Sequence, residues 1–167
     1  MITPYFVTPF RAREAFETFV LPGIKNAMEE KSVNRMHMHI VCLHPNTPYS
    51  ENTKLPILFD YSIGNPEDWE RWDGKSYQDF AQAKARISWR TGMSSREVVM
   101  CHPHLLAKGD TILWGSSILN GVIVAVSGVQ PYFDEMFATM TAAAVIGEAS
   151  HYANELQKGG NCPDFLA

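Results

Sequence analysis

Apolar and polar positions change their period several times along this chain, and the changes predict its elements. Met36 to Leu43 and Ile57 to Ile63 are short runs of bulky apolar residues bounded by turn formers, which reads as two strands. Between them, His44 to Pro56 is rich in Pro, Asn, Thr and Ser and reads as a loop. Tyr77, Phe80, Lys84 and Ile87 recur at spacings of three and four, so a helix is predicted over Ser76–Thr91, stopped by Gly92. Thr111–Leu119 and Val122–Val126 are two further β runs that meet at Asn120-Gly121, a dipeptide that favours a tight hairpin. After Ser127-Gly128, a closing helix is predicted from Gln130 to Gln157. Pro131 sits at its start, Asp134 and Glu135 complement its dipole, and Gly159-Gly160 lie beyond it.

The remaining segments are helical or connecting. Thr8-Pro9 suits the cap and first position of a helix through Phe19, and Pro22-Gly23 breaks or kinks it before a second piece to Lys31. Asn65-Pro66 opens a connection that carries Trp69 and Trp72. Ser95 to Leu106 reads as one short helix interrupted near Pro103. A hairpin-joined sheet with helices mostly at the chain ends argues for an α+β fold rather than a doubly wound one. The closing helix carries Ala138, Thr141, Ala142, Ala143, Ala144, Gly147 and Ala149, a small-residue surface suited to close packing on the sheet or on a second subunit.

Composition narrows the classes. A chain of 167 residues, 46% hydrophobic and 19% charged, suits one globular domain spanning 1–167, with a helical segment 1–32 and a core 33–158. A net charge of −4 offers no electrostatic reason to expect nucleic acid, and no apolar run is long enough to span a membrane. The N-terminal stretch lacks the pattern of a secretory signal. Cys42, Cys101 and Cys162 are an odd count without a CxxC, which favours reduced thiols and a cytoplasmic location. No GxSxG, P-loop, GxGxxG or CxxC motif is present.

Several residues have side chains suited to chemistry. His37 and His39 lie two apart in a predicted strand, on one face, and His102 and His104 flank Pro103. Brought together, the two pairs would suit a transition metal; apart, they are ordinary surface or hydrogen-bonded histidines. Lys84, if buried, would have a lowered pKa and act as a base or imine former; otherwise it snorkels to water. Asp60 is a candidate partner for Lys84. Asp134 either favours the helix start or stands at the mouth of a pocket beside Ser127 and Gly128, whose backbone N–H groups suit a carboxylate or carbonyl oxygen. Tyr61, Trp69, Trp72 and Tyr77 flank the loop Gly64–Gly74 and form either a lid over a flat ligand or a small core of their own. The expected pocket lies between the Ser76–Thr91 helix, the Gly115–Ser117 segment and the start of the closing helix. Tyr77, Trp114, Gly115, Ser116, Ser127 and Gly128 are its binding candidates, and Lys84, Asp134, His102 and His104 its catalytic ones.

The order of hairpin, Val122–Gly128 run, acidic Asp134-Glu135 and closing helix resembles the end of the GlcG/HbpS-type proteins, the haem-degrading or DUF336 family, to which the UPF0303 proteins are related. Leu58-Phe59-Asp60 and Lys84-Ala85 match the family's upstream strand and its Lys-Ala step, and the likeness covers roughly residue 33 onward. It departs at Gly115-Ser116-Ser117, where the family has paired glycines, and in the Trp-bearing segment. The resemblance implies a profilin-like antiparallel sheet of about five strands, a homo-oligomer, and binding of a small molecule, with haem as the first expectation. For haem, His37, His39, Cys101, His102 and His104 are axial candidates. Trp89, Trp114, Met93 and Met100 are wall candidates, and Lys84, Arg86 and Arg90 are candidate propionate partners. An enzyme using the same pocket, a cofactor-independent isomerase, cyclase or lyase working by acid/base catalysis, is the alternative.

Overall fold

Residues 4–160 and 163–166 are described by a computed structural model; Cys162 and its expected free thiol lie outside the described residues. The elements are α1 (Pro9–Phe19), α2 (Leu21–Glu29), β1 (Met38–Leu43), β2 (Ile57–Ile63), α3 (Tyr77–Thr91), α4 (Ser95–Cys101), β3 (Ser116–Leu119), β4 (Val122–Ser127) and α5 (Pro131–Lys158), with short 3-10 turns at Pro66–Asp68 and Pro103–Leu105. Four strands form one antiparallel sheet in the order β2-β1-β4-β3. The fold is therefore α+β with flanking helices and a long C-terminal helix, with four strands where about five were expected.

Local chemistry explains the boundaries. The Thr8 side chain accepts the Arg11 N–H at the start of α1. Pro22 does not kink this helix but sits in the first turn of a new one, where its missing N–H costs nothing. The Ser76 backbone N–H donates to the Asp79 carboxylate at 2.7 Å at the start of α3, and Gly92 closes that helix at φ 72°. Asn120 and Gly121 both take positive φ, 46° and 81°, as a two-residue hairpin turn of this hand requires. The predicted strand from Thr111 is shortened to Ser116–Leu119. Gly115 and Ser116 donate their backbone N–H groups to the Ser95 hydroxyl instead of to a strand partner, so regular pairing starts only at Ser116.

Alternation along β1 and β4 sends side chains to two covered faces. Met38, Ile40, Cys42, Val124 and Val126 pack with Phe16, Ile24, Phe137, Ala138 and Val145 of α1, α2 and α5. Val41, Leu43 and Ala125 pack with Ala81, Ala85 and Trp89 of α3 on the opposite face. Both faces are covered, which is why every residue of β1 is buried. Among the described residues no helix is long and apolar enough to cross a membrane.

Candidate functional site

Lys84 lies on the sheet-facing side of α3 and is only 1% exposed. Its ammonium donates to the Asp134 carboxylate at 2.9 Å and to the Val126 carbonyl at 2.8 Å. Asp134, in the first turns of α5, is 2% exposed, and its other oxygen accepts the Val129 N–H at 3.1 Å. The partner of Lys84 is thus Asp134, not Asp60, which stays exposed on β2 with its carboxylate 3.8 Å from His39 Nε2. The amides near the Ser127-Gly128 turn, expected to receive a ligand's oxygen, face the protein's own carboxylate.

Gly115 makes this pairing possible. A β-carbon there would lie 2.6 Å from Asp134 Cβ and 3.0 Å from Lys84 Nζ, and its φ of +146° already disfavours other residues. The missing side chain leaves the space in which α3 and α5, on opposite faces of the sheet, exchange charge. Burial dominates the electrostatics of the pair. It lowers the Lys84 pKa despite Asp134, and raises that of Asp134 to about 6 despite Lys84 and the backbone donors.

A cavity of about 590 Å³ opens over the pair. Tyr77, Phe80 and Lys84 line it from α3, Ile112 and Leu113 from the segment before β3, Ser127, Gly128, Pro131 and Asp134 from the turn and α5, and Arg35 and Trp72 from the mouth. Tyr77, Trp72, Phe80 and Trp69 form an edge-to-face chain with centroid spacings of 5.4 to 5.8 Å. Tyr61 is not part of it. That ring points to the other face of the sheet, against Phe16 at 5.2 Å.

Other expected site residues fall elsewhere. Gly115 and Ser116 lie behind the cavity. Ser116 Oγ shares a 2.7 Å hydrogen bond with Ser88 Oγ and accepts the Ser95 N–H, a buried serine cluster that sequence reasoning missed because lone serines carry no spacing signal. Trp114 lies outside the lining, under the Arg96 guanidinium, and Ile112 and Leu113 supply the apolar wall instead. His102 and His104 meet edge to face after α4, away from the cavity, and Cys101 and Met100 beside them are exposed. His37 precedes β1 with its ring against Gly64, whereas His39 is buried and shares a hydrogen bond with Ser62 Oγ. Among the described residues no three His, Cys, Asp or Glu side chains gather as a metal set, so the two His-x-His pairs do not meet.

The haem candidates do not fit this cavity. Among the described residues no His, Cys or Met lines it, and none of the expected axial candidates does. Trp89 donates to the Thr47 carbonyl and anchors the loop before β2. Met93 lines a separate depression beside Arg96. Arg90 forks onto Asp110 and Arg86 faces another groove. Lys84 is already paired.

No family model matches the chain, and no curated protein matches it. Among solved structures, the chain is similar to a double mutant of HbpS from Streptomyces reticuli, with 17% identity over 86% of this chain and 89% of that one, at a TM-score of 0.52. At that identity the likeness concerns the fold: this chain has an HbpS-like fold.

Proposed function

We propose that this chain binds a small, flat, largely apolar organic molecule in the cavity over Lys84 and Asp134, as a small-molecule-binding protein of the GlcG/HbpS type. The observation that carries the reading is a buried ion pair set in the wall of an otherwise aromatic and aliphatic cavity. A few placed polar groups among apolar walls are the usual make-up of a ligand site. Haem is not the ligand we propose, because the axial candidates lie outside the lining. The test is titration with planar probes, followed by quenching of tryptophan fluorescence, with Trp72 at the mouth as reporter. Ile112, exposed and on the rim, is the position to fill. Ile112→Trp should abolish quenching by naphthalene-sized probes and leave the circular dichroism unchanged; full binding in that variant would place the site elsewhere. Hemin should give no saturating Soret band that depends on a histidine.

The ion pair supports a second reading, an isomerase, cyclase or lyase. A carboxyl group titrating near 6 is well matched to proton transfer at neutral pH, and the adjacent ammonium is placed to stabilise an enolate oxygen. In that reading Asp134 takes the carbon-bound proton and later returns it. Deuterium wash-in to a simple 1,3-diketone, accelerated by the protein and lost in Lys84→Met, separates enzyme from binder.

The oligomer implied by the resemblance remains a proposal. Tyr132, Met136, Met140, Ala143 and Gly147 form an exposed stripe on α5, whereas Ala138, Thr141 and Ala142 are used internally. Light scattering should show at least a dimer that Met140→Glu dissociates.

A further inference from the structure

Two residues of the cavity lining carry polar groups with unused capacity, and they point to the class of ligand. This inference rests on the binding reading above. Tyr77 belongs to the lining, and its hydroxyl is buried with no hydrogen-bond partner among the described residues. Buried hydroxyls are rarely left so, because the lost water is not replaced. Arg35 belongs to the same lining. Its one ion pair among the described residues runs through Nε to an exposed Glu70 at 3.4 Å, and its guanidinium lies 5.7 Å from the Trp72 ring. The two outer nitrogens of that fork make no hydrogen bond among the described residues, and a planar fork of this kind matches a carboxylate. Burial raises the Tyr77 pKa, and the charge of Arg35 opposes that shift.

The inner end is different. Lys84 is neutralised by Asp134 at 2.9 Å, and an anion placed there would meet that carboxylate. The inner end therefore suits a neutral carbonyl or hydroxyl. Tyr77 and Lys84 are seven residues apart on one helix, two turns, or about 10 Å along the axis. Trp72, Phe80, Ile112 and Leu113 fill the distance with apolar surface.

We propose that Arg35 and the Tyr77 hydroxyl form an oxyanion subsite, and that the ligand is a planar aromatic or polyene acid with its carboxylate at the mouth and a neutral oxygen at the Lys84 end. The test uses a hydroxynaphthoate and its neutral hydroxynaphthamide, alike in shape and different in charge, titrated calorimetrically at pH 8. The acid should bind roughly tenfold more tightly than the amide, the scale of one charge-assisted contact. Arg35→Gln should erase that preference while amide binding stays unchanged. Tyr77→Phe should weaken the acid several-fold, and Glu70→Gln, which removes the competing carboxylate, should tighten it. Equal binding of acid and amide, or a preference that survives Arg35→Gln, overturns the subsite and leaves the binding reading intact. Failure of both probes to bind overturns both.

Discussion

On one face of the sheet Met38, Ile40, Cys42, Val124 and Val126 meet Phe16, Ile24 and Phe137, and the packed cluster is apolar. On the other face Val41, Leu43 and Ala125 share their layer with Lys84, His39, Ser88 and Ser116, all at most 2% exposed. The same strands serve both layers. The apolar layer gains free energy from area removed from water and needs no geometry beyond close packing. The polar layer must satisfy each buried donor and charge, so it depends on particular partners. Where a domain accepts that cost, the groups that remain incompletely satisfied are the places to look for function. Among the described residues they are the Tyr77 hydroxyl, Trp69 Nε1, His39 Nε2 and His44 Nδ1, and of these residues Tyr77 lines the cavity.

Mutations can break this contrast, the largest effect first. Lys84→Met should destabilise the fold by about 3–5 kcal/mol in urea unfolding, because Asp134 is left buried and unpaired. Adding Asp134→Leu should restore much of that loss. On the apolar face, Phe137→Ala should cost a similar amount, about 3–5 kcal/mol, with no such rescue by a second truncation. A Lys84→Met variant as stable as the parent would mean that the pair is not buried in solution.

Gly115→Ala probes the space between the two layers. The added carbon would collide with Asp134 and the backbone there is left-handed, so a cost of about 1–3 kcal/mol is expected, with a weakened ion pair. Gly23, with nothing near its β position, should accept alanine with at most a small change.

The pH dependence sharpens the comparison further. Burial lowers the His39 pKa below its ordinary 6.5, so the unfolded chain takes up this proton at a higher pH than the folded one. The stability contributed by neutral His39 is present above about pH 6.5 and is lost as pH falls from there through the lower pKa of the folded state. Asp134 acts in the opposite sense. Its raised pKa, about 6 against 3.8, lets the folded state hold a proton that the unfolded one releases, so its contribution to stability rises as pH drops from about 6 to 3.8. The difference between parent and His39→Asn, measured by thermal unfolding from pH 5 to 8, should therefore shrink toward the acid end. A constant difference would show that His39 is not neutral and buried.

The smallest effect is the most selective. Tyr77→Phe removes a hydroxyl that has no partner among the described residues, so stability should stay within about 0.5 kcal/mol of the parent or rise slightly. A large loss would mean that the hydroxyl has a structural partner in solution.

Much of the fold was legible from local pattern. The Asn120-Gly121 hairpin, the α3 helix stopped at Gly92 and the closing helix entered at Pro131 each follow from rules that act within a few residues, and each stands where it was expected. Of the three boundaries expected for the cavity, the Ser76–Thr91 helix and the start of the closing helix line it, whereas Gly115–Ser117 does not and Ile112 and Leu113 stand in its place. Less was legible where side chains choose partners. Thr111 to Gly115 has β-type residues, yet a serine from α4 takes its terminal amides. Tyr61 and Tyr77 read alike, yet one faces α1 and the other the cavity.

The sequence by itself determined the main helices, the hairpin turn and most of the strand residues, and that the domain has an apolar core. Backbone preference and periodicity are properties of neighbouring residues. Only the tertiary structure decided that Lys84 is buried rather than snorkelling, that its counter-charge is Asp134 fifty residues away, and that Gly115 is the opening through which they meet. The same holds for Arg35, which no local signal singled out and which the fold carries to the cavity lining that Tyr77 shares. The reason is physical: a charge's solvation and partner depend on what the chain's long-range topology brings within a few ångströms, and a sequence window holds no term for that distance.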